Sequence, residues 1–228
     1  MYIVLSHLPA TFELTVCAAT LAIALGTGIG ILGAVRRGGV FDTVSTIGAM
    51  IALSLPTFWF GLVVIFVFSV RLGWLPAGNQ FTIGDGSLLD YAHHLIAPSV
   101  VLALVSVAIW SRYMRASMLE VIGQDFIRTA RAKGLPPHVV ILHHAARNAL
   151  LPMITVAGLH LPTLLSGALV TETIFSWPGM GRLFLDSLDY RDYPVVMGVL
   201  IFSALIVLLS NLAADILYSV ADPRIGLR

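Results

Sequence analysis

Few residues in this chain have the types and spacing that chemistry needs. The run GIGILG at 28–33 spells G-x-G-x-x-G. A dinucleotide site needs that turn after a strand, with an acid about 20 residues on. Here it lies in an apolar stretch, and nothing acidic stands near position 53. Gly26, Gly30 and Gly33 read better as a stripe of small residues that lets helices pack closely. No G-x-x-x-x-G-K-[ST] occurs, so the chain has no P-loop to cradle ATP phosphates. His93–His94 and His143–His144 suggest a metal, but adjacent helical residues point different ways and chelate poorly. They read as structural or interfacial. His160 falls in the middle of an apolar run, where an ionisable group is a functional suspect; a neutral His bonded to a neighbouring helix is the plainer reading. Glu172 and Asp215 stand near the edges of apolar runs and suit either a lumen or a hydrogen-bonded helix contact. No G-x-S-x-G or H-E-x-x-H is present, which leaves a hydrolase without support. No catalytic, cofactor-binding or metal-binding residue is assigned. Cys17 is the only cysteine, so no intrachain disulfide can form.

The elements that carry these residues are set by composition. Of 228 residues, 58% are hydrophobic and 11% charged, with a mean hydropathy of +0.93. Soluble domains carry about 25% charged residues. A globule of this size has too much surface to hide so apolar a chain. The class is therefore all-α and membrane-embedded, since a helix of about 20 apolar residues crosses a bilayer. Five segments qualify: 14–35, 43–70, 95–111, 149–171 and 195–221. Strands are disfavoured because the runs are continuous and do not alternate. Pro56, Pro98, Pro152 and Pro162 fall in or at the ends of these segments, where neighbouring helices can satisfy the freed carbonyls.

Lys and Arg counts orient the segments. One side holds Arg36, Arg37, Arg112, Arg115, Arg128, Arg131, Lys133, Arg147, Arg224 and Arg228; the other holds only Arg71, Arg182 and Arg191. The first side is then cytoplasmic, and the loops at 72–93 and 176–194 are external. Trp74, Trp177 and Tyr193 are expected at the headgroup level. This frame puts the N-terminus outside, although MYIVLSHLPATFELT lacks the basic region of a signal peptide. It predicts a preceding membrane helix that this chain does not carry.

The stretch RTARAKGLPPHVVILHHAARN (128–148) is basic and broken by two prolines. Residues 125–133 are good helix formers, with Phe126, Ile127 and Ala130 as an apolar stripe. Gly134 suits the left-handed position that ends a helix. Pro136 and Pro137 suit the first turn of the next, which continues toward the fourth segment. The result is a helix-turn-helix at the cytoplasmic surface. Ala130, Ala132 and Gly134 would let another protein's backbone come close, with the nearby Arg and Lys pairing its acids. An amphipathic helix held by anionic lipid is the rival reading, and composition leaves both open.

Several phrases resolve that choice by likeness. SMLEVIGQDFIRTARAKGL (117–135), HAARNALLP (144–152) and TETIFSWPGMGRL (171–183) stand in order with DYPVVMGVL (192–200) and NLAADILYSVADPRIG (211–226). SLPTFWFGL (54–62) and RLGWLPAG (71–78) precede them. Together they resemble the permease subunits of binding-protein-dependent ABC importers. The narrower likeness is to the first-permease (dipeptide permease B) type of the oligopeptide/dipeptide/nickel group, over essentially the whole chain. The resemblance implies a single transmembrane permease domain, 1–228, in a prokaryotic cytoplasmic membrane, with a coupling loop at about 117–148. It implies uptake of di- or oligopeptides by alternating access; nickel or another small solute, or a degenerate non-transporting subunit, are the alternatives. It implies a second permease chain, two ATPases that bind ATP and Mg, and an external solute-binding protein, all within lipid and without nucleic acid. The coupling residues would be Asp125, Arg128, Thr129, Ala130, Arg131, Ala132, Lys133, Gly134 and Leu135. Arg128, Thr129 and Ala130 stand where the family motif has Glu-Ala-Ala, so the glutamate's pairing is not carried over. Leu151–Pro152 lies farther from the glycine than in the general motif. The family's first helix and external region have no counterpart here. Ser54 and Pro56, at an expected kink, and Glu172, near the outer mouth, are candidates for the translocation path.

Overall fold

The computed structural model describes the backbone of residues 2–221. Side chains at 155, 158–167, 214–215 and 217–221 lie outside the described residues. His160, Asp215, Arg224 and Arg228, singled out from the sequence, lie outside the described residues. Ten α-helical stretches and two π stretches follow one another among the described residues, and no strand is found there. They are α1 (Tyr2–Val35), α2 (Val40–Ser54), α3 (Thr57–Val64), π1 (Ile65–Arg71) and α4 (Leu88–Ile122). Then come α5 (Asp125–Ala132), α6 (Pro137–Val139), π2 (Val140–Ala146), α7 (Arg147–Ala149), α8 (Leu151–Ile174), α9 (Met180–Asp189) and α10 (Tyr193–Ala221).

All five expected segments are helical. Among the described residues, α1, α4 and the stretch Tyr193–Ala213 of α10 are each long and apolar enough to cross a membrane. α8 has 24 residues, about 36 Å at 1.5 Å per residue, against a hydrocarbon core of about 30 Å. The second segment differs from expectation: it is a broken pair, α2 and α3–π1, interrupted at Leu55–Pro56. Pro56 has no N–H to give and disfavours helical geometry at Leu55; it takes extended backbone (φ −61°, ψ 128°) and caps α3. The third segment is also longer than its apolar core, because Asp90 and His94 at one end and Arg112 and Arg115 at the other remain helical.

The chain packs as two units. One comprises the segments up to Leu21, Leu55–Leu104 and Leu161–Leu209. Its cores are built on Val64, Ala97, Val101 and Phe175, and on Val4, Met180 and Val199. A strap after π1 closes over the first: Asn79 N–H donates to Phe175 O at 2.8 Å, and Ser69 Oγ to Pro76 O at 3.1 Å.

The other unit comprises Ala22–Ser54, Val105–His160 and the chain from Ser210 on. Here the glycine stripe acts as expected. A Cβ on Gly26 would sit 2.5 Å from Trp110 Cβ, and one on Gly30 would sit 2.6 Å from Met114 Cβ. Close approach of α1 to α4 therefore requires glycine at both positions. Gly28 lies off this face, with nothing within 4 Å of its missing Cβ. We expect Gly30→Val to destabilise the detergent-extracted protein by about 1–3 kcal/mol, the usual cost of overpacking, and Gly28→Ala to leave it unchanged. Equal thermal unfolding of the two variants would remove the packing role.

Candidate functional site: the basic helix-turn-helix and the Glu172 clamp

α4 ends at Ile122, and Gly123 and Gln124 turn the chain into α5. α5 ends as the sequence predicts. Gly134 takes φ +75°, Gly134 N–H donates to Arg131 O at 3.0 Å, and Leu135 N–H donates to Ala130 O at 3.4 Å. This paired bonding satisfies carbonyls that a helix end leaves free. Pro136 then caps α6 in extended geometry and Pro137 opens it. π2 follows, packed against α5. Ser117 Oγ donates to Ala149 O at 2.9 Å, tying α4 to the far end of the hairpin.

Of the expected coupling residues, Asp125, Arg128, Thr129, Arg131, Ala132, Lys133, Gly134 and Leu135 are exposed. Ala130 is not: it is 6% exposed, and Ile127 is fully buried. Three residues apart, they share the face turned to the chain's own interior. Ala130 thus supports the hairpin from beneath and does not offer itself to a partner, while Phe126 faces outward. Arg128 and Asp125 form an ion pair at 3.3 Å, both largely exposed, so it contributes little.

A further anchor escaped the sequence reading. Asp42, at the start of α2, is 5% exposed. Arg115 of α4 grips it with one edge of its guanidinium, Nε to Oδ1 at 2.5 Å and an Nη to Oδ2 at 2.8 Å. Gly38 N–H adds a bond to Oδ2 at 2.9 Å. The turn after α1 is thereby fixed to the helix that leads into the hairpin. The two residues are 73 apart, and no local pattern links them.

Glu172 is fully buried. Its Oε1 accepts from Thr11 Oγ1 at 2.7 Å. Its Oε2 accepts from Gly181 N–H at 2.7 Å and Arg182 N–H at 3.2 Å, in the first turn of α9. Thr11 Oγ1 accepts in turn from Met180 N–H at 2.8 Å. The free N–H groups of α9 are thus capped by side chains from α1 and α8. The two glycines of PGMG make room: a Cβ on Gly179 would overlap the Glu172 carboxyl, and one on Gly181 would overlap Leu169 Cα. Here the structure corrects the expectation that Glu172 lines a path; its oxygens are occupied by the chain itself. Ser54 and Pro56 are exposed, and Ser54 Oγ bonds back to Met50 O at 2.9 Å. Trp177 packs into the chain's interior. It is fully buried, with Nε1 donating to Ala10 O at 2.9 Å, whereas Trp74 and Tyr193 are exposed. Beside the clamp lies a cavity of about 260 Å³ lined by Thr11, Leu169, Met180, Phe184, Val199 and Ser203.

The first histidine pair divides its work: His93 Nε2 meets Trp74 O of the loop after π1 at 2.7 Å, and His94 Nδ1 meets Asp90 O within α4 at 2.9 Å.

A family model for the binding-protein-dependent transport system inner membrane component matches residues 26–227. The chain belongs to this family. It is 46% identical to the oligopeptide transport system permease protein AppB of Bacillus subtilis, across 98% of this chain and 71% of that relative. It is 44% identical to the dipeptide transport system permease protein DppB of Escherichia coli K12, across 95% of this chain and 70% of the relative. Solved folds agree: a chain of the MetNI methionine ABC transporter superposes with TM-score 0.77 at 20% identity, covering 97% of each chain. A chain of an amino acid ABC transporter superposes with TM-score 0.68 at 18% identity, covering 98% of this chain and 94% of that one. This membrane component thus carries both a hairpin and a clamp, and the two differ in kind. The hairpin is an exposed surface, whereas the clamp is a closed network.

The clamp yields a test. Glu172→Ala strands the buried Thr11 hydroxyl, at about 1–3 kcal/mol for a buried donor left unmade, and adds a smaller cost at the half-buried Gly181 and Arg182 N–H groups. Gly179→Ala is expected to be comparably damaging, although it removes no hydrogen bond. Thermal unfolding close to wild type in both variants would show that α9 does not depend on this network.

Proposed function

We propose that this chain is the permease subunit of an ATP-driven importer of di- or oligopeptides, and that residues 125–135 are its coupling surface. The observation that carries the reading is the likeness, across nearly the whole chain, to proteins named as oligopeptide and dipeptide permeases. The exposed hairpin fits it. In this reading ATP and Mg belong to two separate ATPase subunits, and the chain itself makes and breaks no covalent bond. A second permease completes the membrane path, and an extracytoplasmic binding protein delivers the solute. The membrane is the cytoplasmic membrane of a prokaryote.

Mechanically, the hairpin seats in a groove of the ATPase. Closure of the ATPase dimer pushes α5 along its buried Ile127–Ala130 face, and the Ser117–Ala149 bond passes the displacement to α4 and α8. Alternating access follows if the two ATPase states favour different arrangements of the permease. Arg128, Arg131 and Lys133 supply positive charge for acids on the ATPase. Ala132 and Gly134 permit close backbone approach. Single-domain organisation over 1–228 belongs to the same reading.

Gly134 separates folding from docking. Among the described residues, and leaving its two chain neighbours aside, no atom lies within 4 Å of a Cβ placed there, so a side chain has room at the cost of the left-handed backbone. Asn tolerates that geometry, whereas β-branched residues do not. Gly134→Asn is expected to insert and fold normally yet lower ATP-driven peptide uptake by tenfold or more, while Gly134→Val or Gly134→Glu blocks it. The check is uptake by the complete transporter in proteoliposomes, with thermal unfolding alongside. Full uptake in Gly134→Glu would end the coupling assignment.

A further inference from the structure

Two arginines one turn apart on α4 have opposite fates. Arg115 is gripped by Asp42. Arg112 is exposed, and among the described residues no hydrogen bond or ion pair engages its guanidinium. It borders a cavity of about 400 Å³ whose other walls, among the described residues, are Leu53, Ile109, Tyr113 and Ala116. The cation therefore stands at the rim of an otherwise mainly apolar hollow. α4 is one of the helices that can cross the membrane, and Arg112 lies where its apolar run gives way to the arginine-rich end. By the positive-inside rule that end is cytoplasmic.

We propose that this hollow binds an anionic phospholipid of the cytoplasmic leaflet. The phosphate sits on Arg112, and the first acyl methylenes lie against Leu53 and Ile109. Three features select that ligand. A planar guanidinium offers two parallel donors to a phosphate. Apolar walls add what one surface cation lacks, since a free anion in water would gain little from a single charge. The neighbouring cation is already neutralised, so the negative group is drawn to Arg112 and not shared. Basic pockets between membrane helices on the cytoplasmic side are suited to lipid headgroups. The proposal rests on α4 spanning the membrane and is independent of the solute carried.

The test uses the complete transporter extracted from bilayers of phosphatidylcholine doped with phosphatidylglycerol. Native mass spectrometry counts the lipids retained on this subunit. Wild type is expected to hold phosphatidylglycerol in preference to phosphatidylcholine. Arg112→Gln should lower that preference about fivefold, the fold-change equivalent to roughly 1 kcal/mol for one basic residue at an anionic surface, and Arg112→Lys should keep most of it. Ala116→Phe, at an exposed position, fills the hollow without altering charge or fold and should also lower it. The same lipid preference in wild type, Arg112→Gln and Ala116→Phe overturns the site. So does a loss of transport in Arg112→Gln that is equal with and without phosphatidylglycerol while lipid retention is unchanged; that result would assign Arg112 to a protein contact or the solute path. Loss of peptide uptake in wild type would contradict the transport reading alone and leave the lipid count intact.

Discussion

A buried carboxyl group needs hydrogen-bond partners on both oxygens, and around Glu172 that demand organises three helices. Its two oxygens collect one hydroxyl and two backbone N–H groups. In a low-dielectric surrounding, each bond matters more than it would at a surface, and each vacancy costs more. The donors come from α1 and α9, and the acceptor from α8. None can move far without exposing the others. Gly179 and Gly181 follow from this, since the carboxyl occupies the space a side chain would need. Trp177, wedged below with its indole N–H on Ala10 O, closes the same assembly.

The arginine-rich end is held by a different balance. There the charge is paired and not capped: Arg115 meets Asp42 side-on through Nε and one Nη, and Gly38 adds a backbone donor. The pair fixes the turn between α1 and α2 against the base of the hairpin. The hairpin itself is left to stand out, bonded through Ser117 and packed through Ile127 and Ala130. In the proposed coupling role, an exposed basic surface on a buried apolar foot is what a load-transmitting contact needs. The foot must be stiff, and the contact must be free until a partner arrives.

Much of this was legible in the chain's own letters. Continuous apolar runs could only be membrane helices, because no soluble core of this size hides so much apolar surface. Gly134 followed by two prolines could only end one helix and start another, because left-handed backbone and a missing N–H are local properties. The glycine stripe at 26, 30 and 33 announced a close helix contact, because its spacing places all three on one face. The order of the motif phrases carried the family.

Tertiary structure decided what depends on distance across the chain. Glu172 as a closed clamp and not a path residue rests on Thr11, 161 residues away. The Asp42–Arg115 grip and the burial of Trp177 are settled by which helices come together. Ala130 was expected at a partner's surface and turned inward, because helical phase against π2 decides which face is covered. Even the break at Pro56 was visible as a proline and unseen as two separate helices. A sequence states which residues can bend, bond or bury; the neighbours that make them do so are supplied only by the fold.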